Sequence, residues 1–406
     1  MDSRINRKKP VGSLSRLPWW VWIAAIDVFF VAITILIPYL PESIRYGPHY
    51  HFNLAVEMNA GAWWSSTSLL MLALLAYELF SSRQDGSRPA WLVLSAILFL
   101  LSWDEIGSLH ERAGGFNNLL PVIFVFILVL AYALGVLFRM RETRKTTIWI
   151  AVAFGLLGSV VLQERLEHAF EWPMWMAGIR VGIEEGSELL AFLLIWAGLV
   201  MEKQKTLPIK TLLVAIPDPQ QMKSLVALLL GGLLAHSALS ILTALNYEVS
   251  NLGNPAIWYP VALFALIFLT AVWNSVDAAG GRQWVWYLLA VYALLNSLAA
   301  VYIVSPRQEI SGFNSLGWIS NPYFFYAIQI GALAILFISL FRFEARKDGM
   351  IFGLLAAALV LGLLVGGLAT QFIFAGVITF LMNRLFLNGF STDRVTIPED
   401  VTSIQI

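Results

Sequence analysis

The run Trp91-Leu92-Val93-Leu94-Ser95-Ala96-Ile97-Leu98-Phe99-Leu100-Leu101-Ser102-Trp103-Asp104-Glu105-Ile106-Gly107-Ser108-Leu109-His110-Glu111 decides how this chain folds. It is free of charge as far as Trp103, and then Asp104, Glu105, His110 and Glu111 close it. An apolar run of this length reads as a helix crossing a bilayer. A charged side chain in hydrocarbon costs about 2.5–3.5 kcal/mol even on the lenient insertion scale. Carboxyls and an imidazole gathered at one end of such a helix therefore mark one wall of a functional site.

Runs of the same kind recur along the chain. Of its 406 residues, 59% are hydrophobic and 13% charged, whereas soluble domains carry roughly 25% charged residues. The expected fold is an all-α polytopic transmembrane helix bundle of about 10–12 spans. Candidate spans are Trp19–Leu40, Met58–Phe80, Trp91–Glu111, Leu120–Phe138, Thr147–His168, Val181–Met201, Ser224–Asn246, Ile257–Trp273, Trp284–Val304 and Tyr323–Phe341. A longer run, Met350 to Phe386, reads as one tilted helix or as a span with a second piece broken at Gly366-Gly367.

Positive loops stay cytoplasmic. The segment before Trp19 holds Arg4, Arg7, Lys8, Lys9 and Arg16, and alternate loops carry groups such as Arg139, Arg141, Arg144 and Lys145. The intervening loops hold only Arg45, Arg112, Arg180 and Arg307. This alternation places the N-terminus in the cytoplasm of a multi-pass protein of the plasma (inner) membrane. The first run is long and lacks a small-residue cleavage site after it, so it reads as a retained helix. The chain divides into a basic N-terminal segment (1–18), a six-helix group (19–201), a cytoplasmic loop (202–223), a second helix group (224–388) and a polar tail (389–406).

Formal net charge is zero and there is no cysteine. The first excludes the basic footprint of a nucleic-acid binder. The second excludes disulfides, thiolate metal sites, iron–sulfur clusters and cysteine nucleophiles. A metal here would be held by oxygen and imidazole.

With this orientation, Glu57 stands at the outer entrance of the second span, after His49 and His51. The third span ends outward in Asp104, Glu105, His110 and Glu111, and the fifth in Glu164, Glu167, His168 and Glu171. The sixth begins outside with Glu184, Glu185 and Glu188. Acids from several helices thus share one level in the outer leaflet. Glu164, Glu167, His168 and Glu171 form a single helical stripe. Asp104, Ser108 and Glu111 align on the third span, while Glu105 and His110 flank them on opposite sides. Glu57, Glu171 and Glu184, taken singly, read equally well as solvated helix-end groups.

Carboxylates this dense need shared protons, basic partners or a cation. Oxygen-rich sets with an imidazole suit iron, manganese or zinc, among other divalent ions. The expected ligands are Asp104, Glu105, His110, Glu111, Glu164, His168, Glu188 and Glu57. Glu167 or Glu185 is the candidate general base. The leading expectation is a divalent-metal enzyme, an oxidoreductase or hydrolase, acting on a lipid-like amphiphile from the membrane. Transport of a cation or proton-coupled solute is the alternative, and a non-catalytic subunit or assembly factor of a membrane complex the third.

The segments Trp103-Asp104-Glu105-Ile106-Gly107-Ser108-Leu109-His110-Glu111, Asn53-Leu54-Ala55-Val56-Glu57 and Glu184-Glu185-Gly186-Ser187-Glu188-Leu189-Leu190 together resemble a group of bacterial multipass membrane proteins without assigned function. Their helices read as Asp-Glu-x-x-Ser-x-His-Glu and Glu-Glu-x-x-Glu. The resemblance spans about the first half of the chain. It implies that these positions form one site, and it carries no activity.

Overall fold

The computed structural model describes residues 18–45, 52–55, 59–107, 116–170, 172–206, 212–218, 255–277 and 282–304. Its long helices are α1 (Trp19–Leu36), α2 (Ala60–Ser82), α3 (Arg88–Gly107), α4 (Phe116–Arg139), α5 (Arg144–Ala169), α6 (Ala177–Thr206), α7 (Pro255–Asp277) and α8 (Arg282–Val304). No strand occurs among the described residues, so the fold is all-α. Trp19–Tyr39, Ala60–Ser82, Arg88–Ile106, Leu120–Arg139 and Arg144–Gln163 are long and apolar enough to cross a membrane. The expected runs Ser224–Asn246, Tyr323–Phe341 and Met350 to Phe386 lie outside the described residues.

The chain separates into two compact units. The first takes in α1 to α6, the start of α7 as far as Val261, and the end of α8 from Leu298. In the second, Phe264 and Tyr292 meet edge to face, and Asn296 Nδ2 donates to the Tyr292 carbonyl at 2.8 Å.

Within the first unit α2 is the central helix. Asn59 starts it: its Oδ1 accepts from the N–H groups of Gly61 and Ala62 at 2.7 and 3.1 Å, satisfying donors the helix leaves open. From Leu69 to Ala76 every side chain of α2 is buried. In hydrocarbon there is no hydrophobic drive between helices, so close approach and interhelical hydrogen bonds hold them together. Three serines do this for α2 and α3. Ser66 Oγ donates to the Ser102 carbonyl at 2.7 Å, Ser102 Oγ donates to the Ser66 carbonyl at 2.8 Å, and Ser95 Oγ donates to the Ala73 carbonyl at 2.8 Å.

Helix α6 packs against α1 through glycines. A Cβ at Gly178 would collide with the carbonyl oxygen of Ile35 and lie 2.9 Å from the Tyr39 ring, and one at Gly182 would collide with the Ile35 side chain. At Gly186 the nearest atoms belong to Val31, 3.7 Å away. Gly178, Gly182 and Gly186 are spaced by four, the small-residue stripe that lets two membrane helices touch backbones. Helix α6 also runs further than expected, to Thr206 rather than Met201. In its last turns Glu202 and Lys203 are buried while Gln204 and Lys205 are exposed, so one face of this extension packs against the bundle.

The outward face of α4 is apolar: Val122, Phe124, Val125, Ile127 and Leu128 are all exposed. A continuous surface of this kind is unfavourable in water, and lipid covers it at no cost.

Candidate functional site

The register of each helix pair fixes the depth of the acids. Ser66 lies opposite Ser102 and Ala73 opposite Ser95, so the same antiparallel register brings Trp64 opposite Asp104. Val31 meets Gly186 and Ile35 meets Gly182, and at the other end of α1 Trp19 meets Trp196, with ring centroids 6.5 Å apart. Continued along the helices, this pairing sets Asp27 of α1 beside Glu188 and Leu189. On the third side, a Cβ at Gly198 would approach Ile150 and the Thr146 carbonyl, and Thr146 Oγ1 donates to Glu202 Oε2 at 2.9 Å. That register carries the backbone of Glu164 to the level of Glu184.

Asp27 was not among the expected site residues. It is the acid in the middle of α1, half-buried, and its Oδ1 accepts from Trp64 Nε1 at 2.8 Å. Trp64 in turn stacks on Phe30, with centroids 6.2 Å apart and an interplanar angle of 13°. The sequence did hold a signal, since a lone acid inside an apolar span is functional by default.

Of the expected residues, Asp104, Glu105, Glu184, Glu185 and Glu188 are all half-buried. Glu185 feels the charges of Glu105 and Glu184, so acids of α3 and α6 interact electrostatically across the two helices. Glu105, expected to flank the inward stripe of α3, is an acid whose charge reaches α6. Asp104, Glu105, Glu184, Glu188 and Arg180 all take part in polar or electrostatic interactions.

An aromatic wall supports this end of α3. Trp258 Nε1 donates to Ser102 Oγ at 3.0 Å, and its ring lies 6.2 Å from Phe99 and 6.4 Å from Trp103. Ser102 therefore holds α2 and Trp258 at once, one turn before Glu105. The Nε1 of Trp103 is buried without a hydrogen-bond partner.

Glu164, Glu167 and His168 lie on the last turns of α5, where the helix backbone is described but the side chains are not. Glu57, His110, Glu111 and Glu171 lie outside the described residues, as do His49 and His51. Among the described residues no group of three His, Cys, Asp or Glu side chains forms a ligand set for a metal ion.

A second polar cluster, not foreseen from the sequence, lies at the opposite ends of α2 and α6. Lys203 pairs with Glu78 at 2.9 Å, and Glu202 is bound by Arg83, by Lys205 at 2.6 Å and by Thr146. Glu202, Lys203 and Lys205 fall in the stretch expected to be a cytoplasmic loop, and the structure places them on the last turns of α6. Nothing local in the sequence signals that Glu78 and Lys203, far apart along the chain, meet.

Residues 21–202 are similar to a family described as a domain of unknown function (DUF8692). That stretch contains Asp27, Asp104, Glu105, Glu164, Glu184, Glu185 and Glu188. No curated protein matches the chain. No solved structure matches it either.

Proposed function

We propose that the acids of α3, α5 and α6 hold a divalent metal ion and that the protein is a membrane metalloenzyme acting on a lipid-like amphiphile. The observation that carries this reading is that acids of separate helices, Asp104 and Glu105 of α3 and Glu184, Glu185 and Glu188 of α6, are all half-buried in an apolar bundle, with the charge of Glu105 felt at Glu185. Like charges in a medium of low dielectric repel strongly. A bound cation relieves that repulsion and turns it into affinity. The donors suit a hard or borderline ion such as iron, manganese or zinc, because they are carboxylate oxygens with imidazole from His168 or His110.

In this reading Asp104, Glu105, Glu164, Glu188 and His168 hold the ion, with Glu57, His110 and Glu111 completing the wall at the membrane surface. When bound, the metal supplies Lewis acidity toward a substrate oxygen or water. Glu185, which feels the charge of Glu105, accepts the proton released, and Glu167 of α5 is the other candidate for that role. The apolar exterior and the outer-leaflet level favour a substrate that arrives sideways from the bilayer. The membrane is the plasma membrane, with the N-terminus and the 202–223 segment on the cytoplasmic side, as the distribution of Lys and Arg favours.

An enzyme is favoured over a transporter by the core of α2. The buried, wholly apolar stretch Leu69–Ala76 lies between the acid level and the Glu78–Lys203 pair, which suits a site open at one end. Thermal unfolding of the purified protein with added manganese, iron(II) or zinc tests the proposal. A metal-dependent rise in the midpoint that Glu105→Gln and Glu185→Gln abolish supports it; equal behaviour of wild type and both variants with every metal counts against it.

A further inference from the structure

Helices α2 and α6 each carry a charge at the end away from the acids, and both charges are inside the protein: Glu78 is 4% exposed and Lys203 2%. Lys203 Nζ donates to Glu78 Oε2 at 2.9 Å and to the Ile216 carbonyl at 2.7 Å. The N–H of Asp218 donates to the same Glu78 oxygen at 3.1 Å, and Trp196 Nε1 donates to the Ala215 carbonyl at 2.9 Å. The segment 212–218 is therefore bound by side chains of two helices. Val214 and Ala215 within it are buried.

Connecting segments usually run over the surface, because their backbone polar groups need water. Here buried donors and an acceptor take the place of that water. A buried carboxylate and ammonium persist only when paired and fully bonded. Each also bonds the segment, so pair and segment form one unit. Arg83 and Thr146 bind Glu202 beside it and tie the start of α5 into the same end. Along α6 the distance from Glu188 to Lys203 is about 22 Å at the helical rise.

We propose that residues 212–218 are a plug, latched by the Glu78–Lys203 pair, that closes the α2–α6 seam at the end remote from the acids. A molecule reaching the acid level then enters from the acid end or through the side of the bundle. This inference goes beyond the proposed metal chemistry and does not depend on it.

The chain has no cysteine, so one introduced thiol reports alone. The full-length protein in detergent micelles is treated with a hydrophilic maleimide. Val214→Cys reads the plug, Leu74→Cys, one turn from Glu78 on the same face of α2, reads the seal beside it, and exposed Gln84→Cys sets the unprotected rate. The expected result is labelling of Val214→Cys and Leu74→Cys about tenfold or more slower than Gln84→Cys, as for residues that react only through local opening. Adding Lys203→Met brings Val214→Cys to the Gln84→Cys rate and exposes Leu74→Cys, whereas Lys203→Arg, which keeps the charge and the donors, keeps both protected. Trp196→Phe keeps an aromatic ring facing Trp19, removes the bond to Ala215 and accelerates Val214→Cys several-fold, which decides the matter if Lys203→Met does not fold. The proposal is overturned if either thiol matches Gln84→Cys with the latch intact, or if Val214→Cys stays protected in every folded latch variant. Metal content is measured on the same samples, so a failure of the plug is told apart from a failure of the metal site.

Discussion

Trp64 Nε1 donates to Asp27 Oδ1 at 2.8 Å, tying the acid of α1 to α2 at the depth of Asp104. A half-buried carboxylate in an apolar helix needs such a donor, because leaving it unmet costs the full desolvation of the group. Trp64→Phe keeps the stacking on Phe30 and removes the N–H. The expected loss is about 1–3 kcal/mol, seen as a lower thermal midpoint in detergent. The double variant with Asp27→Asn should lose less, since a neutral amide tolerates the site better. An unchanged midpoint in Trp64→Phe would mean that this bond does not hold Asp27.

Helix α6 meets α1 with no room for a side chain at two glycines. Gly182→Ala presses on the Ile35 side chain, and Gly178→Ala presses on the Ile35 carbonyl oxygen. Each should cost about 1–3 kcal/mol by overpacking. Ile35→Ala should restore much of the first loss and little of the second, because truncating a side chain leaves the carbonyl where it was. Unfolding of the four proteins by heat or denaturant checks this, and equal rescue of both would contradict the contact.

The Glu78–Lys203 pair separates charge from packing. Removing the ammonium alone with Lys203→Met leaves a buried carboxylate and should cost about 3–5 kcal/mol. Adding Glu78→Gln should recover most of that in a stability measurement. If the double variant were no more stable than the single one, the ion pair would not be what Lys203 contributes.

Much of this architecture is legible in the sequence because a bilayer imposes it. A helix must be long and apolar to cross hydrocarbon, so α1 to α5 fall where the apolar runs predict, within a few residues at each end. The acids of α3 and α6 stand out for the same reason: charge is rare there. Asp27 does not stand out because Trp19–Leu36 is so apolar on average that one acid hardly alters the pattern. The stripe Gly178, Gly182, Gly186 is written in the sequence, but its partner Ile35 is not, since any apolar helix could face it. Glu78, Glu202 and Lys203 are legible only as charges near helix ends. Their burial arises from contacts between segments distant along the chain, which periodicity and charge counting do not reach.

Asp85 gives a test outside the membrane spans. Partial burial favours its neutral form, but the hydroxyl and N–H of Ser87 and the Arg83 guanidinium outweigh that and hold its carboxyl below the ordinary value of 3.8. A folded pKa below the unfolded one stabilises the protein above the unfolded value, and the contribution fades as pH falls through the folded value. Asp85→Asn should therefore be less stable than wild type near neutrality, and the difference should shrink once pH drops below 3.8. Thermal midpoints across that range check the sign. A gap that widens on acidification would contradict it.

The central claim is that acids of separate helices, Glu105 and Glu185 among them, hold a divalent metal. Elemental analysis of the purified full-length protein tests it most directly. The expected content is about one or two divalent transition-metal ions per chain, falling sharply in the double variant Glu105→Gln with Glu185→Gln while that variant remains folded. A negligible content of every such metal in the wild type, unchanged in the variant and after incubation with manganese, iron(II) or zinc, would contradict the account.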